Sequence, residues 1–341
     1  MKIKFTILLL IISLTSIKLQ AQQDPQFTQF MNNKLFYNPG FAGSTPEKIC
    51  ANATYRTQWV GYGGGTAFTP DANSGNVKPV GQGNAPTTLN FGIHANLGRV
   101  GLGLNVWNDE LGFSRTLAPT LSVAYIHPFD NGSKLAGGLG IGFVQKGLDG
   151  SKLVAIDPND PLIPTSNVSG IGVNFDLGLY YTMPQLSIFN DFYFGLSSLH
   201  LNTPTATWSW GNQSKTASQD RHYYAMTGAN YDLGSSNIVL NPNILYKTDG
   251  TKSSADVNVM ATYNQTLMGG LSYRTPQEFS ILLGYNFPFG LMACYSYDLI
   301  TSDIISYSQG SHEIGLRYCF GFKTSVKQPP VIFPIKTPRI L

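Results

Sequence analysis

Five histidines, three cysteines and nineteen carboxylates are the residues of this chain best equipped for chemistry, and their spacing assembles none of it. His94, His127, His200, His222 and His312 are scattered, without a His-x-x-x-His pair or a Cys–His run that could close on a metal. Serine is abundant, yet no Gly-x-Ser-x-Gly elbow puts one on a strained turn, and any Ser-His-Asp set would be arbitrary. Asp157-Pro158-Asn159-Asp160 offers oxygens to calcium but lacks the spaced ligands of a calcium loop, so it reads as an ordinary connection. Gly138, Gly140 and Gly142 are phosphate-loop-like in composition but lie in no strand–turn–helix context. No catalytic, cofactor-binding or metal residue is expected, and the chain reads as a non-enzyme.

What would position any such residue is a set of short segments that alternate with a period of two. Leu89, Phe91, Ile93 and Ala95 alternate with Asn90, Gly92 and His94. Val100, Leu102, Leu104 and Val106 alternate with Gly101, Gly103 and Asn105, and Ile171 to Leu179 repeats the pattern. Successive strand residues point to opposite faces, so each segment has one apolar face and one small or polar face. A soluble sandwich alternates in the same way, so the surroundings must decide.

Lys2 and Lys4 precede an apolar run, Phe5 to Ile12, too short to span a bilayer, and Leu19-Gln20-Ala21 follows as a small-residue cleavage site. Residues 1–21 therefore read as a signal peptide. Its loss leaves nineteen basic against nineteen acidic residues, a neutral chain in which nothing suggests a nucleic-acid partner. Charged residues make up 12% of the sequence, against roughly 25% in soluble domains. No later stretch approaches the roughly 20 apolar residues of a membrane helix. A transmembrane β-barrel reconciles these facts, because lipid-facing residues are then every second residue of many strands. Eighteen Tyr and twenty Phe suit its aromatic girdles.

The pattern predicts an all-β, antiparallel barrel of about fourteen strands across residues 47–322. Strands are expected near 48–59, 87–97, 99–108, 115–128, 134–147, 170–182, 189–199, 221–232, 236–247, 255–264, 267–275, 278–288, 290–300 and 311–322. Pro242 should bulge or break the ninth. The long gaps, Gly61 to Pro86, Leu148 to Ser169 and Leu201 to Asp220, are the first, fifth and seventh connections, whereas even-numbered ones are short. This parity predicts long extracellular loops, with the N-terminus and the tail at residues 323–341 periplasmic. Trp59, Trp107, Trp208 and Trp210 fall toward the outer end. On the last strand Glu313 and Arg317 both face inward, where an ion pair is expected. Cys50, Cys294 and Cys319 also face inward. Buried free thiols are the default for them, and a disulfide is the alternative where Cα atoms come within about 7 Å.

Residues 22–46 carry a family resemblance. Gln23-Asp24-Pro25-Gln26-Phe27, Gln29-Phe30-Met31 and Leu35-Phe36-Tyr37-Asn38-Pro39-Gly40-Phe41-Ala42-Gly43-Ser44 resemble the opening signature of the PorP/SprF family, with Thr28, Phe30, Asn33-Lys34 and Gly40-Phe41 as departures. Tyr295-Ser296-Tyr297-Asp298 with Ser311-His312-Glu313-Ile314-Gly315-Leu316, and Thr337-Pro338-Arg339, are similar to its closing hairpin and tail. The resemblance implies an outer-membrane protein of type IX secretion and gliding, partnered by secretion components and by a large secreted adhesin that it exports or retains. The alternative is a fatty-acid-channel transporter with an N-terminal hatch.

Phe27, Phe30 and Met31 sit at helical spacing, and Asn38-Pro39-Gly40 forces a turn. The segment is either a plug in the lumen or a periplasmic strap under the rim. Asp24, Pro25, Phe27, Phe30, Leu35, Tyr37, Asn38, Pro39 and Gly43 are its candidate contact residues. Trp208, Trp210 and Tyr62 are the candidate partner contacts of the outer loops.

Overall fold

The structure, a computed structural model, describes residues 24–45, 48–61, 68–70, 77–79, 85–153, 157, 160–234, 237–276, 278–301 and 308–321. The expected signal peptide, the C-terminal tail and Tyr62 lie outside the described residues.

The strands are β1 (Lys48–Thr57), β2 (Phe68–Pro70), β3 (Val77–Pro79), β4 (Thr87–Asn96), β5 (Val100–Leu111), β6 (Ser114–Pro128), β7 (Lys134–Asp149), β8 (Asn167–Leu186) and β9 (Phe189–Leu199). They continue as β10 (Thr205–Trp210), β11 (Gln213–Ser218), β12 (His222–Asp232), β13 (Ile238–Thr248), β14 (Ser253–Tyr263), β15 (Leu267–Arg274), β16 (Glu278–Asn286), β17 (Leu291–Ile300) and β18 (Ser311–Gly321). Fourteen of them form a closed antiparallel barrel in which β1 pairs with both β4 and β18. Those fourteen are the predicted strands. The pairs β2–β3 and β10–β11 are small hairpins inside long connections and were not expected from the pattern. Among the described residues no helix is long and apolar enough to cross a membrane.

Alternation sorts side chains as anticipated. Leu102 and Leu104 face outward, as do Leu139, Ile141, Val173 and Phe175, whereas Asn90, Asn105, Ser122 and Asn174 are buried inside. The apolar outer band is bordered by aromatics. Tyr125, Phe129, Tyr263, Tyr285 and Tyr318 lie toward the rim of short turns, and Tyr55, Tyr223, Tyr246 and Phe279 toward the rim of long connections. Two such girdles match the interfaces of a bilayer. Antiparallel order gathers connections 58–86, 150–166 and 200–221 at one rim, and 97–99, 129–133 and 187–188 at the other.

Pro242 does not break β13. Its ladder to β12 skips Asn241 and Pro242, and the Asn241 amide donates instead to the carbonyl of Ala229 at 2.8 Å. The opposing strand bulges between Gly228 and Asn230.

The barrel closes where β18 meets β1, and Cys50 is the direct register partner of Cys319. The two are joined by a disulfide, with Cα atoms 4.1 Å apart, while Cys294 is a buried free thiol. The expectation of free thiols therefore holds for Cys294 alone. Alternation placed all three inside, but only register makes two of them opposite neighbours.

Candidate functional site

Residues 24–45 run along the inward-facing side chains from one rim to the other, as three single turns of helix: Phe30–Asn32, Lys34–Tyr37 and Pro39–Phe41. The turns are short because Asn38 is extended ahead of Pro39, and its side chain caps the last turn by accepting from Gly40 N at 2.8 Å. Phe27, Phe30, Leu35 and Tyr37 are almost fully buried. Phe27 and Phe36 meet edge to face at 5.0 Å, Phe36 meets Trp107 at 6.3 Å and Tyr37 meets Tyr224 at 5.3 Å. Trp107 is thus no interfacial anchor but part of the inner wall.

At the long-connection rim Asp24 accepts from Gln219 at 2.6 Å and Tyr224 at 3.0 Å, and lies 3.0 Å from His200 Nε2. Burial alone would raise its carboxyl. His200 and His222, with bonds from His200 and Tyr224, hold it below the usual carboxylate range instead. The described chain therefore starts at the rim opposite the one expected for the N-terminus. Pro25 lines a cavity of about 580 Å³ there, with Gln58, Trp59, Lys247 and Arg274.

Lower down, Glu313 accepts from Thr28 N and Gln29 N, both at 2.8 Å, and Thr28 Oγ1 lies 2.9 Å from Asp298. Arg56 binds both carboxylates, at 2.5 Å to Asp298 and 3.2 Å to Glu313. Arg274 reaches the Phe27 carbonyl at 3.1 Å while also pairing with Asp256 and Glu278. Glu313 thus pairs with Arg56, not with Arg317 as expected. Arg317 instead borders a cavity near Lys34 and Lys48. The Lys34 amine lies over the Tyr193 ring face, with Nζ 3.5 Å from the ring centre.

Asn33 Oδ1 accepts from Asn52 and Asn90, both at 2.9 Å. Pro39 and Gly40 lie in contact with Gly138, a position where a side chain would collide with the segment's backbone. Gly43 has φ +69° and packs against Gly101, with its carbonyl accepting from Asn96 at 2.6 Å. The segment then leads into β1 at the short-turn rim.

Trp208 and Trp210 lie on β10, which packs along β8 at Gly170 and Gly172. Both rings are half-buried, and the Trp210 indole donates to the Pro161 carbonyl in the neighbouring connection at 3.1 Å. They tie two connections together as much as they face outward. Sequence reading assigned no site role to His200, His222, Arg56 or Asp298. Their inward parity was readable, but the segment that completes them is far away in the chain.

A closed fourteen-stranded barrel with two aromatic girdles and an apolar belt defines an outer-membrane β-barrel. The model of the type IX secretion system membrane protein PorP/SprF matches residues 19–318, and the chain belongs to that family. No curated protein matches it. Among solved structures, the Ralstonia pickettii toluene transporter TbuX is similar at TM-score 0.50 and 11% identity, covering 86% of this chain and 94% of its own. A Pseudomonas aeruginosa FadL homologue is similar at TM-score 0.49 and 12% identity, with the same coverage. These likenesses concern the fold.

Proposed function

We propose that the protein is an anchoring component of type IX secretion, which retains or helps export a large secreted surface protein at the long-connection rim. The observation that carries this reading is the lodging of residues 24–45 among the inward-facing side chains. A lumen occupied by Phe27, Phe30, Phe36 and Tyr37 serves better as a rigid platform than as a passage. In this reading residues 22–46 are a plug rather than a strap, the long connections are extracellular, and the tail at 323–341 faces periplasmic machinery. Family membership supports contact with secretion components.

Transport of an apolar solute is the competing reading. The walls of the cavity at the long-connection rim speak against it, because Asp24, Lys247, Arg274 and Glu278 are poor company for hydrocarbon. The deciding experiment shortens connections 61–86 and 201–220 separately and together, checks that the barrel still shows heat-modifiable migration, and measures the surface protein that co-purifies. Loss of co-purification is expected. Unchanged co-purification from the doubly shortened barrel rules out docking at this rim. Uptake of an apolar solute by liposomes containing the intact barrel supports transport instead.

A further inference from the structure

Asp24, His200 and His222 each present one ligand atom within 4.8 Å of the other two, the one such cluster among the described residues. All three side chains are buried. Hydrogen bonds decide which nitrogens are free. Asn174 Nδ2 donates to both oxygens of Asp176 at 3.0 Å, which turns Asn174 Oδ1 toward His200 Nδ1 at 2.7 Å. Nδ1 therefore carries the proton, and Nε2 of the neutral ring carries a lone pair. Yet Nε2 points at Asp24, 3.0 Å from Oδ1 and 3.2 Å from Oδ2. A lone pair held against a carboxylate needs a positive charge, either a second ring proton or a metal cation.

His222 favours the metal. Its Nδ1 donates to the Asp220 carbonyl at 2.9 Å and stands 3.7 Å from Asp24 Oδ2, and its Nε2 is buried without a hydrogen-bond partner among the described residues, so a ring still held by that carbonyl has its lone pair free for a cation. A histidine oriented by a carbonyl through one nitrogen, with the other left unpaired, is built like a metal ligand. Gln219 and Tyr224 hold the Asp24 carboxylate in the way outer partners orient metal-binding carboxylates.

We propose that Asp24, His200 and His222 form a divalent-cation site of the zinc class, which fastens the start of the N-terminal segment to the strand ends bracketing connection 200–221. Two imidazoles and one carboxylate suit zinc, and three protein ligands leave a position for water or for a donor from a bound partner. The cavity beside Asp24 and His222 gives access to it.

The test uses the full-length barrel, purified in detergent without a histidine tag and equilibrated with zinc sulfate. Elemental analysis should find about one zinc per barrel, as expected for a single three-ligand site. Asp24→Asn and His222→Gln, each confirmed as heat-modifiable, should lose it. Zinc should also slow proteolysis of residues 24–45 in the wild type, and a chelator should reverse this. Cobalt substitution gives a reading independent of any variant: tetrahedral visible absorption supports the site. Zinc-free wild type, or zinc retained by His222→Gln, overturns the proposal and leaves an imidazolium–carboxylate pair.

Discussion

Asn38 and Gly178 compete for one space. A Cβ on Gly178 would collide with the Asn38 amide oxygen, and the Asn38 amide nitrogen donates to the carbonyls of Leu179 at 2.9 Å and Leu196 at 3.2 Å. A side-chain amide thus reaches the backbone of two adjacent strands, and a missing side chain makes room for it.

Gly178→Val should therefore expel the segment while leaving the barrel closed. Overpacking of this kind costs typically about 1–3 kcal/mol, and here it falls on the segment's contacts. Proteolysis at residues 24–45 of heat-modifiable barrels should accelerate well beyond wild type. Equal proteolysis rates would show that the segment is not held by this contact.

Arg56 is the second test. Replacing it with Met leaves Asp298 and Glu313, both fully buried, without their cation, a loss of about 3–5 kcal/mol for a broken buried pair. Adding Asp298→Asn and Glu313→Gln should recover part of that loss. Thermal midpoints of heat-modifiability measure both, and additive losses would mean that the three residues do not act as a unit.

Outer and inner faces should tolerate charge differently. Arg at Leu104, Phe175 or Ile314 meets lipid and costs about 2–4 kcal/mol near the midplane. Arg at Asn105, which faces inward, should be milder. Asn174 holds His200, however, so Arg there should loosen residues 24–45 without preventing insertion. Insertion assays separate the two, and failure of both sets to insert would falsify the face assignment.

Thiol labelling tests the seam. In denaturant without reductant only Cys294 should react with a maleimide, and reduction should expose Cys50 and Cys319 as well. Three labelled thiols before reduction would remove the bridge.

Much of the fold was readable because period-two alternation acts on each strand separately: Leu104 and Asn105 declare their faces without help from any neighbour. Connection parity then arranged the rims. Pairings across the lumen were not readable, since Thr28 and Glu313 are 285 residues apart and nothing local favours their union. The inward glycines gave a trace of what was missing. Gly138 leaves an inward position without a side chain, but only the structure supplies Pro39 and Gly40 as its occupants. His200 and His222 looked scattered because spacing was read along the chain, although they flank one connection between consecutive strands, and Asp24, which joins them, lies 176 residues from His200. Trp107 falls toward the long-connection end as expected, but that its ring turns inward onto Phe36 was not readable.

The seam also bears on assembly. Arg56 stands on β1, Asp298 on β17 and Glu313 on β18, and the carboxylate of Glu313 is completed by the amides of Thr28 and Gln29. Shutting the cylinder without the segment would leave that carboxylate short of two donors in a poorly hydrated interior. Closing the seam and seating residues 24–45 are therefore energetically coupled, since each supplies partners that the other needs.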